Sequence, residues 1–221
     1  MTRVKICSIQ AVEHALAAAK AGADYIGFNF VPGVRRRLPE EKARQMVKAY
    51  REKRDHGRPN LVGIFVDQPL DEVNRILDTC DLDMAQLSGL EPLDYCLHVE
   101  RPVIKAVHVP LGQSEELVVN TLDAVLAELE AVGILPLLDP EVAEAPGGTG
   151  NAFDWAIAQE LALRHRFLLA GGLSPENVGQ AMHNAHPWGV DVSSGVETGG
   201  IKDPEKIRAF IAKTRATEEQ T

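Results

Sequence analysis

The sequence predicts an α/β protein, a single (β/α)8 barrel. Three observations carry this. Short apolar runs rich in Val, Ile, Leu and Phe alternate with longer stretches of helical patterning. Eight such runs occur, the number that closes a parallel barrel. The length, 221 residues, falls within the roughly 200–250 that such a barrel occupies as one domain. No linker divides the chain, so the domain reads as residues 1–221, with a polar tail at 217–221.

The predicted strands cover 3–7, 24–30, 61–66, 83–87, 103–107, 134–139, 166–170 and 189–193. Their nearly continuous apolar character suits strands covered on both faces. Helix 11–21 is Ala-rich and stops at Gly22, a residue suited to the left-handed position after a helix. Helix 39–51 opens on Pro39, and Glu40 and Glu41 then favour its positive end. Helix 71–79 is short and amphipathic, and residues 51–60 before the third strand read as a charged loop. In 91–99, Pro92 and Leu93 allow either a turn or a first helical turn. Helix 115–131 ends before Gly133, and helices 153–163, 175–184 and 204–214 complete the set. Ser174-Pro175 and Asp203-Pro204 read as cap-and-first-residue pairs. The competing architecture is a doubly wound open sheet. Its dinucleotide form would begin with a Gly-rich first turn, whereas this first turn is Cys7-Ser8-Ile9-Gln10.

The charge balance excludes several functions. Net charge is −9, which argues against nucleic acid or an anionic membrane surface as partner. No run approaches about 18 consecutive apolar residues, so no membrane span is predicted. The start, MTRVKICSIQ, reaches polar residues at once and reads as no signal peptide. Cys7, Cys80 and Cys96 are odd in number and widely spaced, which suits a reduced cytoplasmic protein. The seven histidines do not fall at metal-ligand spacing, and no metal is predicted.

In an α/β barrel of this kind, a TIM barrel, function sits at the C-terminal ends of the strands. Those positions hold Cys7, Asn29, the run Arg35, Arg36 and Arg37, then Asp67, Gln86, Ser88, His108 and Asp139. Gly171 and Gly172 follow the seventh strand, and Ser193, Ser194 and Gly195 follow the eighth. Glycines and small hydroxyl residues let a phosphate approach backbone N–H groups, and these two loops are where the fold commonly binds phosphate. The plainer reading is two tight turns. Cys7 reads either as a small buried hydrophobe or as a base that abstracts a carbon-bound proton. Asp139 reads either as a cap or loop ion pair or as a general acid across the cavity. Arg36 offers a clamp for a second anion, while Arg35 and Arg37 read as solvated. The segment Pro146-Gly147-Gly148-Thr149-Gly150 either folds over a ligand or simply connects.

These residues resemble a known family over nearly the whole chain: phosphoribosylanthranilate isomerase, a barrel of tryptophan biosynthesis. The resemblance rests on Val4-Lys5-Ile6-Cys7, Gly22-Ala23-Asp24-Tyr25-Ile26-Gly27-Phe28, Val62-Gly63-Ile64-Phe65-Val66, Ile104-Lys105-Ala106 and Leu137-Leu138-Asp139. It is most specific in Gly147-Gly148-Thr149-Gly150 with Phe153-Asp154-Trp155, Ala170-Gly171-Gly172-Leu173 with Pro175-Glu176-Asn177-Val178, and Gly189 to Glu197. The resemblance implies an Amadori rearrangement. N-(5-phosphoribosyl)anthranilate becomes 1-(2-carboxyphenylamino)-1-deoxyribulose 5-phosphate, with no cofactor or metal. It further implies that Cys7 is the base removing the C2′ proton and Asp139 the acid protonating the ring oxygen. Arg36 would stand near the anthranilate carboxylate, and Gly171, Gly172, Ser193, Ser194 and Gly195 would cradle the phosphate. The family includes monomers and dimers, so either a monomer or a homodimer is expected.

Two positions depart from the family pattern. Lys-Ile-Cys-Gly-Ile-Thr is usual at the first strand, and here Ser8 stands where that glycine would be. Gln-Leu-His-Gly is usual after the fourth strand, and here Ser88 stands in place of the histidine. A glycine beside the base permits an unusual backbone conformation or a close ligand approach. The departures keep two alternatives open: an isomerase of another phosphosugar, and a phosphometabolite-binding barrel without turnover.

Overall fold

Eight parallel strands close on themselves in the computed structural model, which describes residues 1–54, 59–110, 112–140 and 155–218. The strands are β1 (Arg3–Ile6), β2 (Tyr25–Asn29), β3 (Asn60–Phe65), β4 (Met84–Leu87), β5 (Val103–Val109), β6 (Leu135–Pro140), β7 (Leu168–Leu169) and β8 (Gly189–Val192). Each pairs with its sequence neighbour, and β8 returns to β1 in the register Arg3↔Gly189 to Ile6↔Val192. The helices are α1 (Val12–Ala21), α2 (Glu40–Lys53), α3 (Leu70–Thr79), α4 (Leu93–Leu97), α5 (Glu115–Ala131), α6 (Trp155–Ala162), α7 (Val178–Ala185) and α8 (Pro204–Glu218).

The two-residue period of a strand divides its side chains between two cores. Val4, Ile6, Ile26, Phe28, Leu61, Phe65, Val190 and Val192 face outward into the main apolar cluster under the helices. Tyr25, Val62, Ile104, Ala106, Leu137, Leu168 and Ala170 form a smaller cluster. By the same alternation these fill the barrel interior. α3 shows the helical counterpart: Val73, Ile76 and Leu77 are buried at i, i+3 and i+4, one apolar stripe. Cys7 belongs to the inward set of β1, and Asp139 to that of β6. Both therefore arrive at the mouth by parity.

Several boundaries differ from expectation for local reasons. Gly22 takes the left-handed conformation after α1, φ 97°, as expected. Asp203 caps α8 through a hydrogen bond from Glu205 N, 2.9 Å. Ser174 accepts from the Glu176 N–H at its Oγ, 3.3 Å, as a cap would, but residues 175–177 form a turn and not a first helical turn. The Ser174 N–H donates to Asn177 Oδ1, 2.8 Å, and α7 begins only at Val178. β5 runs two residues past its expected end, to Val109, which carries His108 to the rim. α4 is only five residues long after Pro92. An element not expected at all follows β8. A 3-10 turn (Ser194–Val196) leads into an antiparallel hairpin of β9 (Glu197–Thr198) and β10 (Ile201–Lys202). The segment 146–150, with Phe153 and Asp154, lies outside the described residues, as do 55–58 in the charged loop and 219–221 in the tail.

Candidate active site

Two loops of the mouth pack backbone against backbone. A Cβ on Gly195 would stand 1.9 Å from the Leu173 carbonyl oxygen, so only glycine lets the loops after β7 and β8 meet this closely. Gly171 takes φ 92°, and a Cβ there would stand 2.2 Å from Pro140 and 3.5 Å from Asp139 Oδ1. The Gly171 backbone thus lies against the Asp139 carboxylate. On the other side, the Cys7 N–H donates to the Val192 carbonyl, 2.8 Å, which sets Cys7 next to Ser193. The expected acid, base and both small-residue loops therefore converge at one end of the barrel.

Below them lies an ion pair that sequence reasoning did not single out. Lys5 is fully buried, and its Nζ stands 3.0 Å from Asp191 Oδ1, its register partner across β1 and β8. Lys5 is two residues before Cys7 on the same face of the strand. Burial pushes the Lys5 pKa down, but Asp191 and then Cys7 outweigh it, and the net shift is upward. Burial also pushes the Cys7 thiol up; Lys5 is the main opposing influence, and Asp191 adds to the rise. Asp139 is raised from 3.8 to about 6, by burial first and by Asp191 second, with His108 and Lys5 opposing. A carboxyl on β6 that holds its proton near neutrality and a thiol on β1 over a buried ammonium, both at the same mouth, are a setting for proton transfer in both directions. The signal in the sequence was a charged residue at an inward position of an otherwise apolar strand, once in Val4-Lys5-Ile6 and once in Val190-Asp191-Val192.

Ser8 occupies the left-handed region, φ 58°, the conformation that the glycine usual at this position would permit without a side-chain penalty. Its hydroxyl stands 3.5 Å from Cys7 Sγ and pulls the thiol pKa down. Ser8→Ala should therefore move the ionisation of Cys7 to higher pH. The check is the pH dependence of iodoacetamide alkylation at Cys7, read peptide by peptide by mass spectrometry; an unmoved midpoint would remove this hydroxyl from the site.

The β4–β5 side of the mouth is polar and tightly tied. Gln86 Nε2 donates to Ser88 Oγ, 3.0 Å, and His108 Nε2 donates to the Ser88 carbonyl, 3.2 Å. His108 is the register partner of Asp139. Lys105 Nζ stands 2.6 Å from Glu91, and the Asp67 and Gly89 N–H groups donate to the same carboxylate. Asp67 accepts from Leu90 N, and Asn29 Oδ1 accepts from Val31 N, so both shape loops.

Arg36 reaches the mouth from the β2–α2 loop, where Glu197 holds it. Arg36 Nε stands 2.7 Å from Oε1 and Nη2 3.1 Å from Oε2. Arg35, expected to be merely solvated, is more than half exposed yet stands 2.9 Å from the same carboxylate. Arg37 is exposed. Lys202 Nζ, also buried, stands 2.9 Å from Glu197 Oε1 and donates to the Ser193 carbonyl, 2.8 Å. Burial opposes the Glu197 charge, but Arg36, Lys202 and Arg35 together hold its pKa down at about 2. Glu197 and Lys202 were missed because they sit in the short hairpin after β8. The Gly199-Gly200 pair between them was its turn signal.

Fold and mouth together define a barrel enzyme whose strand ends gather a carboxyl, a thiol, an arginine and two loops of glycine and serine. The chain belongs to the N-(5'-phosphoribosyl)anthranilate (PRA) isomerase family, whose model matches residues 4–213. It is 44% identical over 215 residues to the N-(5'-phosphoribosyl)anthranilate isomerase of Dehalococcoides mccartyi, covering 97% of this chain and 96% of that one. It superimposes on the phosphoribosyl anthranilate isomerase of Thermotoga maritima with TM-score 0.82 at 34% identity, covering 98% and 100% of the two chains. A phosphoribosyl anthranilate isomerase in complex with reduced 1-(o-carboxyphenylamino)-1-deoxyribulose 5-phosphate is similar too. Its TM-score is 0.79 at 32% identity, with 98% and 100% coverage.

Proposed function

We propose that this chain is an N-(5'-phosphoribosyl)anthranilate isomerase of tryptophan biosynthesis, working by general acid and base catalysis through Asp139 and Cys7. The observation that carries the assignment of roles is the pairing of a carboxyl raised to about 6 with a thiol over the Lys5–Asp191 pair. The phosphate sits among Gly171, Gly172, Ser193, Ser194 and Gly195, which places the sugar between Asp139 and Cys7. Asp139 gives its proton to the ring oxygen as the C1′–O bond breaks, and the amine nitrogen donates its lone pair to C1′. The Cys7 thiolate then takes the C2′ proton. The C2′–H electrons form a C1′–C2′ double bond, and the iminium becomes an enolamine. Its tautomer is the 1-amino-1-deoxyribulose product. One proton leaves the enzyme and one returns, so the net change is an isomerisation. Arg36 takes the anthranilate carboxylate at the open side of the mouth.

We read residues 1–221 as one domain, a monomer or homodimer. Its three cysteines are free and buried, which suits the reducing cytoplasm. The test is to generate phosphoribosylanthranilate in place from anthranilate and phosphoribosyl pyrophosphate and to follow its fluorescence. Rapid loss that requires this protein and fails with Cys7→Ala is the expected result. A folded protein that leaves the decay of the substrate unchanged overturns the reading.

A further inference from the structure

Glu197 is an acidic residue at the centre of an anion site, and that needs a reason. Its carboxylate is nearly buried and bears three cations: Arg36 on both oxygens, Arg35 on Oε2 and Lys202 on Oε1. A fourth, Lys206, donates from Nζ to the Glu197 backbone carbonyl, 2.8 Å. Three side-chain cations against one carboxylate leave a local excess of two positive charges, in a chain whose net charge is −9. Glu197 does not neutralise the site. It gathers cations there and fixes where they point.

The geometry at Arg36 is specific. A guanidinium has two edges that can grip a carboxylate in parallel. Glu197 occupies the side edge, Nε with Nη2. The end edge, Nη1 with the other Nη2 hydrogen, makes no hydrogen bond among the described residues, and Arg36 is partly exposed at the mouth. Glu197 therefore fixes Arg36 by one edge and leaves the other open to a second anion. Its other oxygen partner, Lys202, is buried and held against the carbonyl of Ser193, with Nζ 3.4 Å from Ser193 Oγ. Ser193 is the first residue of the small-residue loop after β8.

We propose that Glu197 is the positioning residue of the substrate site: it holds Arg36 edge-on for a carboxylate and Lys202 against the phosphate loop, so that one side chain sets the spacing between the two anionic ends of the substrate. The inference rests on the proposed substrate. It adds Lys202 as the cation of the phosphate end and Glu197 as the link between the two ends. Arg36 and Lys202 arrive from loops on different strands, and the hairpin carrying Glu197 and Lys202 is the part of the mouth that brings them together. Two effects of removing the Glu197 charge oppose each other. The local positive excess grows, which favours any anion. The two cations lose their fixed orientation, which disfavours a ligand that must be met at both ends.

The decisive variant is Glu197→Gln, with Glu197→Asp as the conservative partner should the amide impair folding. The KM for phosphoribosylanthranilate should rise about 10- to 100-fold while kcat changes far less, because orientation and not proton transfer is lost. Glu197→Asp, which keeps the charge on a shorter arm, should fall between wild type and Glu197→Gln. In an Arg36→Met background the effect of Glu197→Gln on KM should shrink, since a residue acting through Arg36 has less to act on. An unchanged or lower KM in folded Glu197→Gln, or full additivity with Arg36→Met, overturns the proposal. Calorimetry with two ligands keeps this separate from the functional reading: inorganic phosphate, which carries one anionic end, and reduced 1-(o-carboxyphenylamino)-1-deoxyribulose 5-phosphate, which carries both. If the wild type has no isomerase activity, the function falls. The positioning role still stands if Glu197→Gln lowers the preference for the two-ended ligand over inorganic phosphate, and falls if that preference is unchanged or larger, or if the wild type shows none.

Discussion

Asp139→Asn should lower kcat/KM by roughly 10²- to 10⁴-fold, and Cys7→Ala by a comparable factor, because each removes a positioned proton-transfer group. The physics of the pair says more than that. Asp139 holds its proton to about 6, and Cys7 is raised above its ordinary value. Above about pH 6, and until the thiol ionises, the two groups carry one proton in total. That proton spends most of its time on the thiol, and the catalytic form, neutral acid with thiolate, is the minor tautomer. Its population is constant across the plateau and falls on both sides. kcat/KM should therefore decline below about pH 6, where both groups are protonated, and again in alkali, where both have lost their protons. Asp139→Asn should abolish the limb near pH 6 along with the rate. The same variant has an opposite effect on stability. Its raised folded pKa gives Asp139 a stabilising contribution that is complete below its unfolded value of 3.8 and is lost as pH rises through about 6. Above that pH the buried charge is a burden of up to about 3 kcal/mol. Asn has no charge to bury, so at pH 8 the dead variant should melt higher than the wild type. A thermal scan at pH 5 and pH 8 checks this: a gain confined to the higher pH is expected, and an equal shift at both would exclude charge burial as its cause.

How much of this was legible follows from the range over which each signal acts. The eight strands are local apolar runs, and Gly22 and Asp203 end and begin helices by chemistry within a few residues. Cys7, Asp139 and the two small-residue loops were found because the fold fixes which end of a strand is functional, and a sequence marks strand ends. Strand parity was available too, but an inward lysine means nothing until register sets Asp191 opposite Lys5, 186 residues away. Ser174 looked like a helix cap and does accept from the Glu176 N–H, but the Asn177 side chain closes a turn on the Ser174 N–H and the helix starts later. Arg35 looked solvated because its partner lies 162 residues further on, in a hairpin of two-residue strands too short to register as apolar runs. Ser8 was visible as a departure from the family pattern. That it keeps the left-handed conformation of the glycine, and turns its hydroxyl to the thiol, belongs to the folded backbone alone.

Lys5→Met should be the most damaging substitution to the fold. It leaves Asp191 buried without its cation, and breaking a buried pair at one end costs about 3–5 kcal/mol. A domain of this size is stable by only about 5–15 kcal/mol, so the loss is a large share of the total. Urea unfolding should show the midpoint falling at an unchanged slope. Lys5→Met combined with Asp191→Leu replaces both charges with apolar volume, and stability should return to within about 1–2 kcal/mol of wild type, since such replacements are often neutral or better. Activity should not return with it. Lys5 lowers the Cys7 pKa more than Asp191 raises it, and Asp191 raises the Asp139 pKa more than Lys5 lowers it. Without the pair the thiol moves up and the carboxyl moves down. The two limbs of the pH profile should separate, and the minor tautomer that carries out the reaction becomes rarer. A double variant that is stable, slow and broader in its pH plateau is the expected result. A double variant restored in both stability and rate would mean that the ion pair serves the barrel interior and not the acid and base above it.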